Sequence, residues 1–212
     1  MADEDPARAL PRGRHKLTRE QVASAQRDRM LLGMADAVAE RGYPRTTVAD
    51  VLKLVHVSRE TFYQHFTDKE DCFLATVDRA AEVLLLAMAA QLTGVGADAT
   101  PLDRFDRTLR TYLATLAAES AAATVVLVES LAAGEAARLR RFDVQERFTL
   151  AVAANFADDP AWQRLPDPVF AARTLVGGIS AMVTSALATN HSTDLPNLHA
   201  PIMALLRALA AP

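Results

Sequence analysis

The sequence predicts an all-α protein, on three observations. Half of the 212 residues are hydrophobic but only 6% are aromatic, and Ala and Leu, which favour helices, recur throughout the chain. Apolar and polar residues do not alternate anywhere for long, so no strand is expected. Segments with the apolar period of a helix are separated by breakers rich in Gly, Pro and Asp. Each of these segments is therefore expected to form one helix.

The N-terminal elements are a predicted flexible arm and a long helix. Residues 1–17 contain Pro, Gly and four Lys or Arg but no apolar period, which is typical of a mobile basic arm. Thr18 and Gln21 then form a capping-box pattern, which opens a helix over about 19–41. Gly42 is expected to end that helix.

Two short helices are predicted next, over 47–55 and 58–66, with a tight turn between them. Ser58 is the expected N-cap of the second helix. Phe62 and Phe66 lie one turn apart, so they predict an apolar side that anchors this helix to the protein.

Longer helices are predicted over the rest of the chain, because the segment TGVGADATP and later Gly and Pro residues interrupt the apolar period. The expected ranges are 69–92, 101–120, 122–132, 135–157, 168–189 and 198–210. We therefore expect three regions: the arm over 1–17, a helix-turn-helix domain over 18–67, and a larger helical domain over 68–212.

The charge is distributed unevenly along the chain. Residues 8–69 hold 12 Lys and Arg against 7 Asp and Glu, a net charge of +5, although the whole chain carries -3. A basic front part on an acidic chain indicates a polyanionic partner for that part only.

The composition argues against a secreted or membrane protein. The single Cys72 cannot form an intramolecular disulfide, which favours a reducing compartment. Gln91 and Glu129 interrupt the longest apolar runs before they reach the roughly 20 residues of a membrane span. A soluble cytoplasmic protein that does not bind a membrane is the resulting expectation.

Two short helices behind a longer one predict a helix-turn-helix unit, whose second helix enters the major groove of double-stranded DNA. Ser58 caps that helix and directs its N-terminal dipole toward phosphate. Arg59 is expected to donate two hydrogen bonds to guanine, and Gln64 is a second candidate for contacting a base edge. Glu60 either accepts a hydrogen bond from cytosine or only favours the helix N-terminus. Side chains suited to phosphate oxygens are Thr47, Thr61, Tyr63, His65 and Lys69.

The segment RGYPRTTVADVLKLVHVSRETFYQHFTDKEDCFLATVD resembles the DNA-binding region of the tetracycline-repressor-like (TetR/AcrR) transcriptional regulators, over roughly residues 20–80. The resemblance implies an all-helical homodimer with a DNA-binding domain and a larger ligand-binding domain. It also implies contact positions at Thr47, Arg59, Thr61, Tyr63, His65 and Lys69. Two positions depart from the pattern. His56 stands in the turn where the family usually has Gly, and Glu60 replaces a residue that is often small.

The region after residue 80 carries no motif, and we expect it to hold an apolar ligand pocket. Glu129 interrupts an apolar run, so it either holds a cationic or hydroxylated ligand or pairs with an Arg of the run at 138–141. Asn155 is a further polar candidate. The apolar candidates for the pocket are Met88, Phe105, Tyr112, Leu116, Leu127, Phe148 and Phe156, each of which could instead be a plain core residue.

A homodimer interface is predicted on the helix over 168–189, paired with the helix over 198–210. Gly177 and Gly178 would permit close approach of the two helices. The apolar stripe proposed for this contact is Val169, Ala172, Val176, Ile179 and Val183.

These features together predict a ligand-responsive transcriptional regulator, specifically a repressor that a mostly apolar small molecule releases from a palindromic operator. An architectural DNA-binding protein without a ligand is the alternative; it would coat DNA broadly. A helical enzyme is a further alternative, but catalytic motifs are missing from the sequence, and no cofactor is expected. A group formed by His191, Asp194 and His199 is the one faint indication of a metal site.

Overall fold

Ten α-helices and no strand make up the described part of the chain, which is residues 18–93, 96 and 98–210 of a computed structural model. The predicted basic arm over 1–17 lies outside the described residues. The helices are α1 (Arg19–Arg41), α2 (Val48–Val55), α3 (Arg59–His65), α4 (Lys69–Ala90), α5 (Pro101–Ala118), α6 (Ser120–Leu127), α7 (Glu135–Asn155), α8 (Pro160–Gln163), α9 (Pro168–Ala188) and α10 (His199–Ala210). Short 3-10 helices lie at Tyr43–Arg45, Glu129–Leu131 and Ser192–Leu198. The all-α prediction is confirmed.

Helix α1 begins and ends at the residues that the sequence indicated. The Thr18 hydroxyl accepts a hydrogen bond from the backbone N–H of Gln21 at 3.2 Å, and the Gln21 side chain accepts one from the Thr18 backbone at 2.9 Å. Gly42 follows the last turn with φ of 76°, a region that a side chain disfavours. The capping box and the glycine therefore fix both ends of the helix.

One hydrophobic core runs from the short helices into the C-terminal helices. Helix α1 packs against α2, α4 and α6, and its Met30, Met34 and Val38 side chains are fully buried. A Cβ on Gly33 would lie 2.3 Å from a methyl carbon of Val55, so the close approach of α1 and α2 requires glycine there.

Helix α9 is apolar on its inner and outer sides, which corrects the predicted dimer stripe. Ala172, Ile179 and Val183 are buried within the chain, where α9 packs against α6 and α7, and Val176 lines a cavity between α9 and the neighbouring helices. A partner subunit would not reach these side chains. The large apolar residues that α9 exposes are Val169, which belongs to the predicted stripe, and Phe170 and Met182, which do not.

Helix α9 also corrects the expectation that no segment of the chain is long and apolar enough to span a membrane. Helix α9 is long and apolar enough to cross a membrane by length and composition alone, and only 22% of its apolar window is buried within one chain. The sequence reading missed this because Arg173 and several small polar residues interrupt the run. An apolar helix face of this size indicates a surface that another element covers.

Candidate DNA-binding face and ligand cavity

The turn between α2 and α3 has the geometry of a helix-turn-helix unit. His56 ends α2 with φ of 53° and ψ of 44°, a left-handed conformation that Gly, the usual residue of the family at this position, adopts more easily. Ser58 then caps α3, and its hydroxyl accepts a hydrogen bond from the backbone N–H of Thr61 at 3.0 Å. The two caps fix where the second short helix starts.

Phe62 and Phe66 anchor α3 to the protein. Their rings lie 5.4 Å apart between centroids, and both side chains are buried. Arg27 of α1 adds a contact that the sequence reading missed: its guanidinium donates to the His65 carbonyl at 3.1 Å and lies 4.4 Å from the centre of the Phe66 ring. Arg29 similarly donates to the Val55 carbonyl. Each arginine thus satisfies a carbonyl at the C-terminal end of a short helix.

The outward side of α3 presents polar groups to solvent. Arg59, Glu60, Tyr63 and Gln64 are exposed. The Arg59 guanidinium lies 5.7 Å from the centre of the Tyr63 ring, and its donor is 3.5 Å from the Tyr63 hydroxyl. The aromatic ring therefore limits the rotamers of Arg59 and holds its guanidinium on the exposed side of α3. Arg59 is the first residue of that helix, at the end whose residues contact bases in such units.

Several of the predicted phosphate contacts already have partners within the chain. The hydroxyls of Ser58 and Thr61 lie 2.9 Å apart. The Thr47 hydroxyl donates to Asp50 at 2.6 Å, and this bond together with one from the Thr47 backbone holds the pKa of Asp50 below its ordinary value. These residues are exposed or half-buried, so they remain at the surface, but DNA contact would require their hydroxyls to share or exchange these bonds.

Tyr43 lies at a junction between the helix-turn-helix unit and the rest of the chain. Its carbonyl accepts a hydrogen bond from Lys69, the first residue of α4, at 3.0 Å, and the Lys69 ammonium lies 4.0 Å from the centre of its ring. Its backbone N–H donates to the Glu129 carboxylate at 2.7 Å. Its ring packs on Phe73 with 4.6 Å between centroids. Glu129 thus links the segment after α6 to the segment before α2.

A cavity of about 320 Å³ lies between α1 and the C-terminal helices α4–α7 and α9. Its size is at the low end of the range typical of ligand pockets. Most of its lining is apolar, and the predicted candidates in that lining are Met88, Phe105, Tyr112, Leu116, Leu127 and Phe148.

The remaining pocket candidates lie elsewhere. Glu129 is held at the Tyr43 junction, and the alternative of an ion pair with the 138–141 run is not observed among the described residues. Asn155 accepts a hydrogen bond from Arg104 at 3.0 Å and donates one to the Pro101 carbonyl at 2.8 Å. The Phe156 ring is buried and stacks on Trp162 with 4.5 Å between centroids. Asn155 and Phe156 therefore tie the end of α7 to neighbouring elements.

One cationic side chain lies in the cavity wall. Arg141 of α7 is only 8% exposed, and its Nη2 is 3.4 Å from the Ser180 hydroxyl and 3.3 Å from the Thr184 hydroxyl. Burial lowers its pKa. Burial also raises the pKa of the nearby Tyr112, to about 12, so the phenol is neutral at pH 7. The sequence reading did not single out Arg141 within the RLRR run.

The possible metal site at His191, Asp194 and His199 is not found in the part of the chain that the structure describes. They contain no group of His, Cys, Asp or Glu that could hold a metal ion. His199 lies beside Asp106 instead, with 3.1 Å between Nε2 and Oδ1.

Comparison with known proteins identifies the helix-turn-helix unit. Residues 35–76 match the family of bacterial regulatory proteins, tetR family. This match spans the end of α1, both short helices and the first part of α4. No curated protein matches the chain in sequence.

Solved structures match nearly the whole fold. The fatty acid degradation regulator FadR of Bacillus halodurans superposes with a TM-score of 0.75 at 19% identity, over 85% of this chain and 94% of that one. FadR of Bacillus subtilis, in complex with stearoyl-CoA, gives 0.70 at 18% identity, over 84% and 96%. A TetR-family regulator from a Rhodococcus species gives 0.72 at 19% identity, over 88% and 99%. At these identities the likeness shows a shared fold.

Proposed function

We propose that this chain, whose residues 35–76 match the tetR family of bacterial regulatory proteins, is a transcriptional repressor, which a small and mostly apolar molecule releases from a palindromic operator. The observation that carries the proposal is the Tyr43 junction, where elements that line the cavity are bonded to the segment that leads into the helix-turn-helix unit. We also retain the predicted division into a DNA-binding domain over 18–67 and a ligand-binding domain over 68–212.

The proposed DNA contacts follow from the position of α3. Arg59, Glu60 and Gln64 would face base edges, and Ser58 would cap the helix next to a phosphate. The remaining phosphate contacts are assigned to Thr47, Thr61, Tyr63, His65 and Lys69. Lys69 donates one hydrogen bond to Tyr43, and an ammonium has three donors, so the others stay available for a phosphate oxygen.

Two connections between the cavity and the helix-turn-helix unit meet at Tyr43, and we propose that ligand binding acts on DNA binding through them. Helix α4 lines the cavity with Leu84 and Met88, and begins at Lys69, which holds the Tyr43 carbonyl. Helix α6 lines the cavity with Leu127, and Glu129 two residues later holds the Tyr43 N–H. A ligand that displaces either helix would therefore move the segment before α2. Dimeric binders of this type need half-sites about 34–36 Å apart, so a small change in the separation of the two α3 helices weakens the fit.

The dimer is proposed to form through the outer sides of α9 and α10. Phe170 and Met182 on α9 and Leu205 on α10 are exposed large hydrophobic residues. A Cβ on Gly178 would meet no atom within 4 Å in the single chain, so space for a neighbouring helix exists there. This face replaces the stripe that the sequence suggested, and a two-fold axis would pair it with its own copy.

An apolar ligand is supported by the cavity lining and by the FadR of Bacillus subtilis, whose structure contains stearoyl-CoA. An architectural DNA-binding protein would have no use for such a cavity. It is the alternative that the experiment must exclude.

The test begins with selection of bound sequences from random DNA by the purified protein. A repressor of the proposed kind should select one short palindrome, whereas an architectural protein should select broadly. DNA titrations with and without compounds that bind the cavity then measure release. We expect a ligand to weaken DNA affinity by about 5- to 150-fold, and linkage requires DNA to weaken the ligand by the same factor. If a compound occupies the cavity and the two DNA curves superimpose, the release mechanism is wrong.

A further inference from the structure

Arg141 is a buried cation for which the described part of the chain supplies no anion. Its side chain lines the cavity and its residue is 92% buried. No Asp or Glu of residues 18–93, 96 and 98–210 forms an ion pair with it, although Arg140 beside it pairs with Asp78 at 3.2 Å. Burying a charge is costly unless it is paired. A guanidinium in this position therefore requires an explanation.

The hydrogen bonds of Arg141 leave most of its donors unused. Nη2 reaches two hydroxyls at 3.3 and 3.4 Å, which is long for such bonds. Nε is fully buried and has no hydrogen-bond partner. A guanidinium has five N–H donors in a planar fork that fits a carboxylate or phosphate with two parallel bonds. The free donors of Arg141 are thus suited to an anion.

The surroundings of Arg141 are neutral and polar. Tyr112 lies close enough to interact with the charge of Arg141, and its side chain lines the cavity. Gln145, one turn after Arg141 on α7, also lines the cavity, as does Ser180. These groups can donate to further oxygens of an anion, whereas the rest of the lining beside them is Val144, Phe148, Val176 and Ile179.

The other charged residues in the cavity lining differ from Arg141 because they are exposed to solvent. Asp28 and Arg79 are about half exposed and lie 4.0 Å from each other, and Glu119 is exposed. These residues lie at the solvent side of the cavity. Arg141 is the one cation in the described lining that is buried.

We propose that the cavity binds an amphiphilic anion, in which an apolar body fills the lining of α4, α5 and α6 and a carboxylate or phosphate end pairs with Arg141. This inference rests on the proposed function for the role of the cavity, and it specifies the chemical class of the ligand. Arg141 supplies the charge, and Tyr112, Gln145 and Ser180 supply further donors.

Binding of four decyl compounds to the full-length protein tests the proposal, since these probes share a chain and differ in the headgroup. Decanoate, decyl phosphate, decanol and decylamine would be titrated by calorimetry below their critical micelle concentrations. We expect the better of the two anions to bind at least tenfold more tightly than decanol, and decylamine to bind more weakly than decanol. The preference between decanoate and decyl phosphate distinguishes a carboxylate ligand from a phosphate ligand.

Three variants test whether Arg141 is the residue responsible for the preference for anions. Arg141→Gln should lose at least tenfold in affinity for the anion and less than twofold for decanol. Arg141→Lys should retain part of the anion preference. Arg138→Gln, which makes the same charge change at an exposed position one turn earlier on α7, should behave as the wild type. Circular dichroism and a thermal melt of each variant establish that it is folded.

Several results would overturn the proposal. These are equal binding of decanol and the anions, a preference for decylamine, no binding of any decyl probe, or an anion preference that survives in folded Arg141→Gln. Titrations with DNA distinguish a failure of the anion-binding proposal from a failure of the proposed function. An anion that binds through Arg141 without releasing DNA would contradict only the release mechanism. A neutral compound that releases DNA while the anions do not bind would contradict only the anion assignment.

Discussion

The DNA-binding face and the cavity place their arginines in opposite environments. Arg59 is exposed on α3 and lies over the ring of Tyr63, so solvent compensates its charge until a polyanion replaces the water. Arg141 is buried among apolar residues and weakly bonded hydroxyls, so its charge is poorly compensated in the isolated chain. The first environment suits a site that binds and releases a highly charged polymer at a surface. The second suits a site that selects one small ion.

The largest expected effect separates the anchor of α3 from its outward face. Phe62→Ala should lower the free energy of unfolding by about 3–5 kcal/mol, because a fully buried aromatic ring is removed from the core. Tyr63→Ala, one residue further on and exposed, should leave stability nearly unchanged and weaken DNA binding. Urea denaturation and DNA titration measure the two effects. Equal loss of stability in both variants would contradict the assignment of inward and outward sides.

The next prediction separates the inner and outer sides of α9. Met182→Arg should give a folded monomer that has lost at least a hundredfold in DNA affinity, or about 2.7 kcal/mol, because the two-fold axis brings two added charges into one interface. Ile179→Arg should instead unfold or strongly destabilise the chain, because Ile179 is buried and lines the cavity that contains Arg141. Sedimentation velocity and thermal melts distinguish these outcomes. A wild-type monomer at micromolar concentration would show that the proposed dimer is wrong.

The DNA-binding region was largely predictable from the sequence because its signals are local. Thr18, Ser58 and Gly42 act on neighbouring backbone groups, and the turn at His56 lies directly before the Ser58 cap. The clamps from Arg27 and Arg29 were not predictable, since their partners lie 38 and 26 residues away. Periodicity locates an element but does not identify its tertiary neighbours.

The cavity region was predictable only as a set of helices and apolar candidates. Glu129 was conspicuous because it interrupts an apolar run, but its partner Tyr43 lies 86 residues earlier. Nothing in the RLRR run distinguishes the buried Arg141 from its exposed neighbours, because burial depends on how α9 packs against α7. The apolar stripe of α9 was identified on the side that faces the core, since a helix with two apolar sides does not reveal which one is outward.

A smaller effect is expected from single contacts at the DNA-binding face. Arg59→Ala should cost about 1–3 kcal/mol against the preferred operator and relax specificity at one base pair. Lys69→Ala should weaken binding to all sequences alike and reduce the slope of log affinity against log salt by about one. Titrations of the selected palindrome, of single-base variants and of unrelated DNA over a range of salt measure both. Unchanged sequence preference in Arg59→Ala would remove that residue from base recognition.

The smallest expected effect concerns the link between the two regions. Glu129→Gln keeps an oxygen near the Tyr43 N–H but removes the charge from a hydrogen bond of 2.7 Å. Bonds to charged groups contribute about 1.5–3 kcal/mol and neutral ones about 0.5–1.5, so the loss should be about 1 kcal/mol. If this bond transmits ligand binding to the segment before α2, the factor by which a ligand weakens DNA binding should fall about fivefold, while ligand affinity without DNA stays the same. Glu119→Gln, an exposed carboxylate in the cavity lining, makes the same charge change away from Tyr43 and should leave that factor unaltered. A Glu129→Gln variant with wild-type coupling would assign transmission to α4 and Lys69 alone, because these form the other connection at Tyr43.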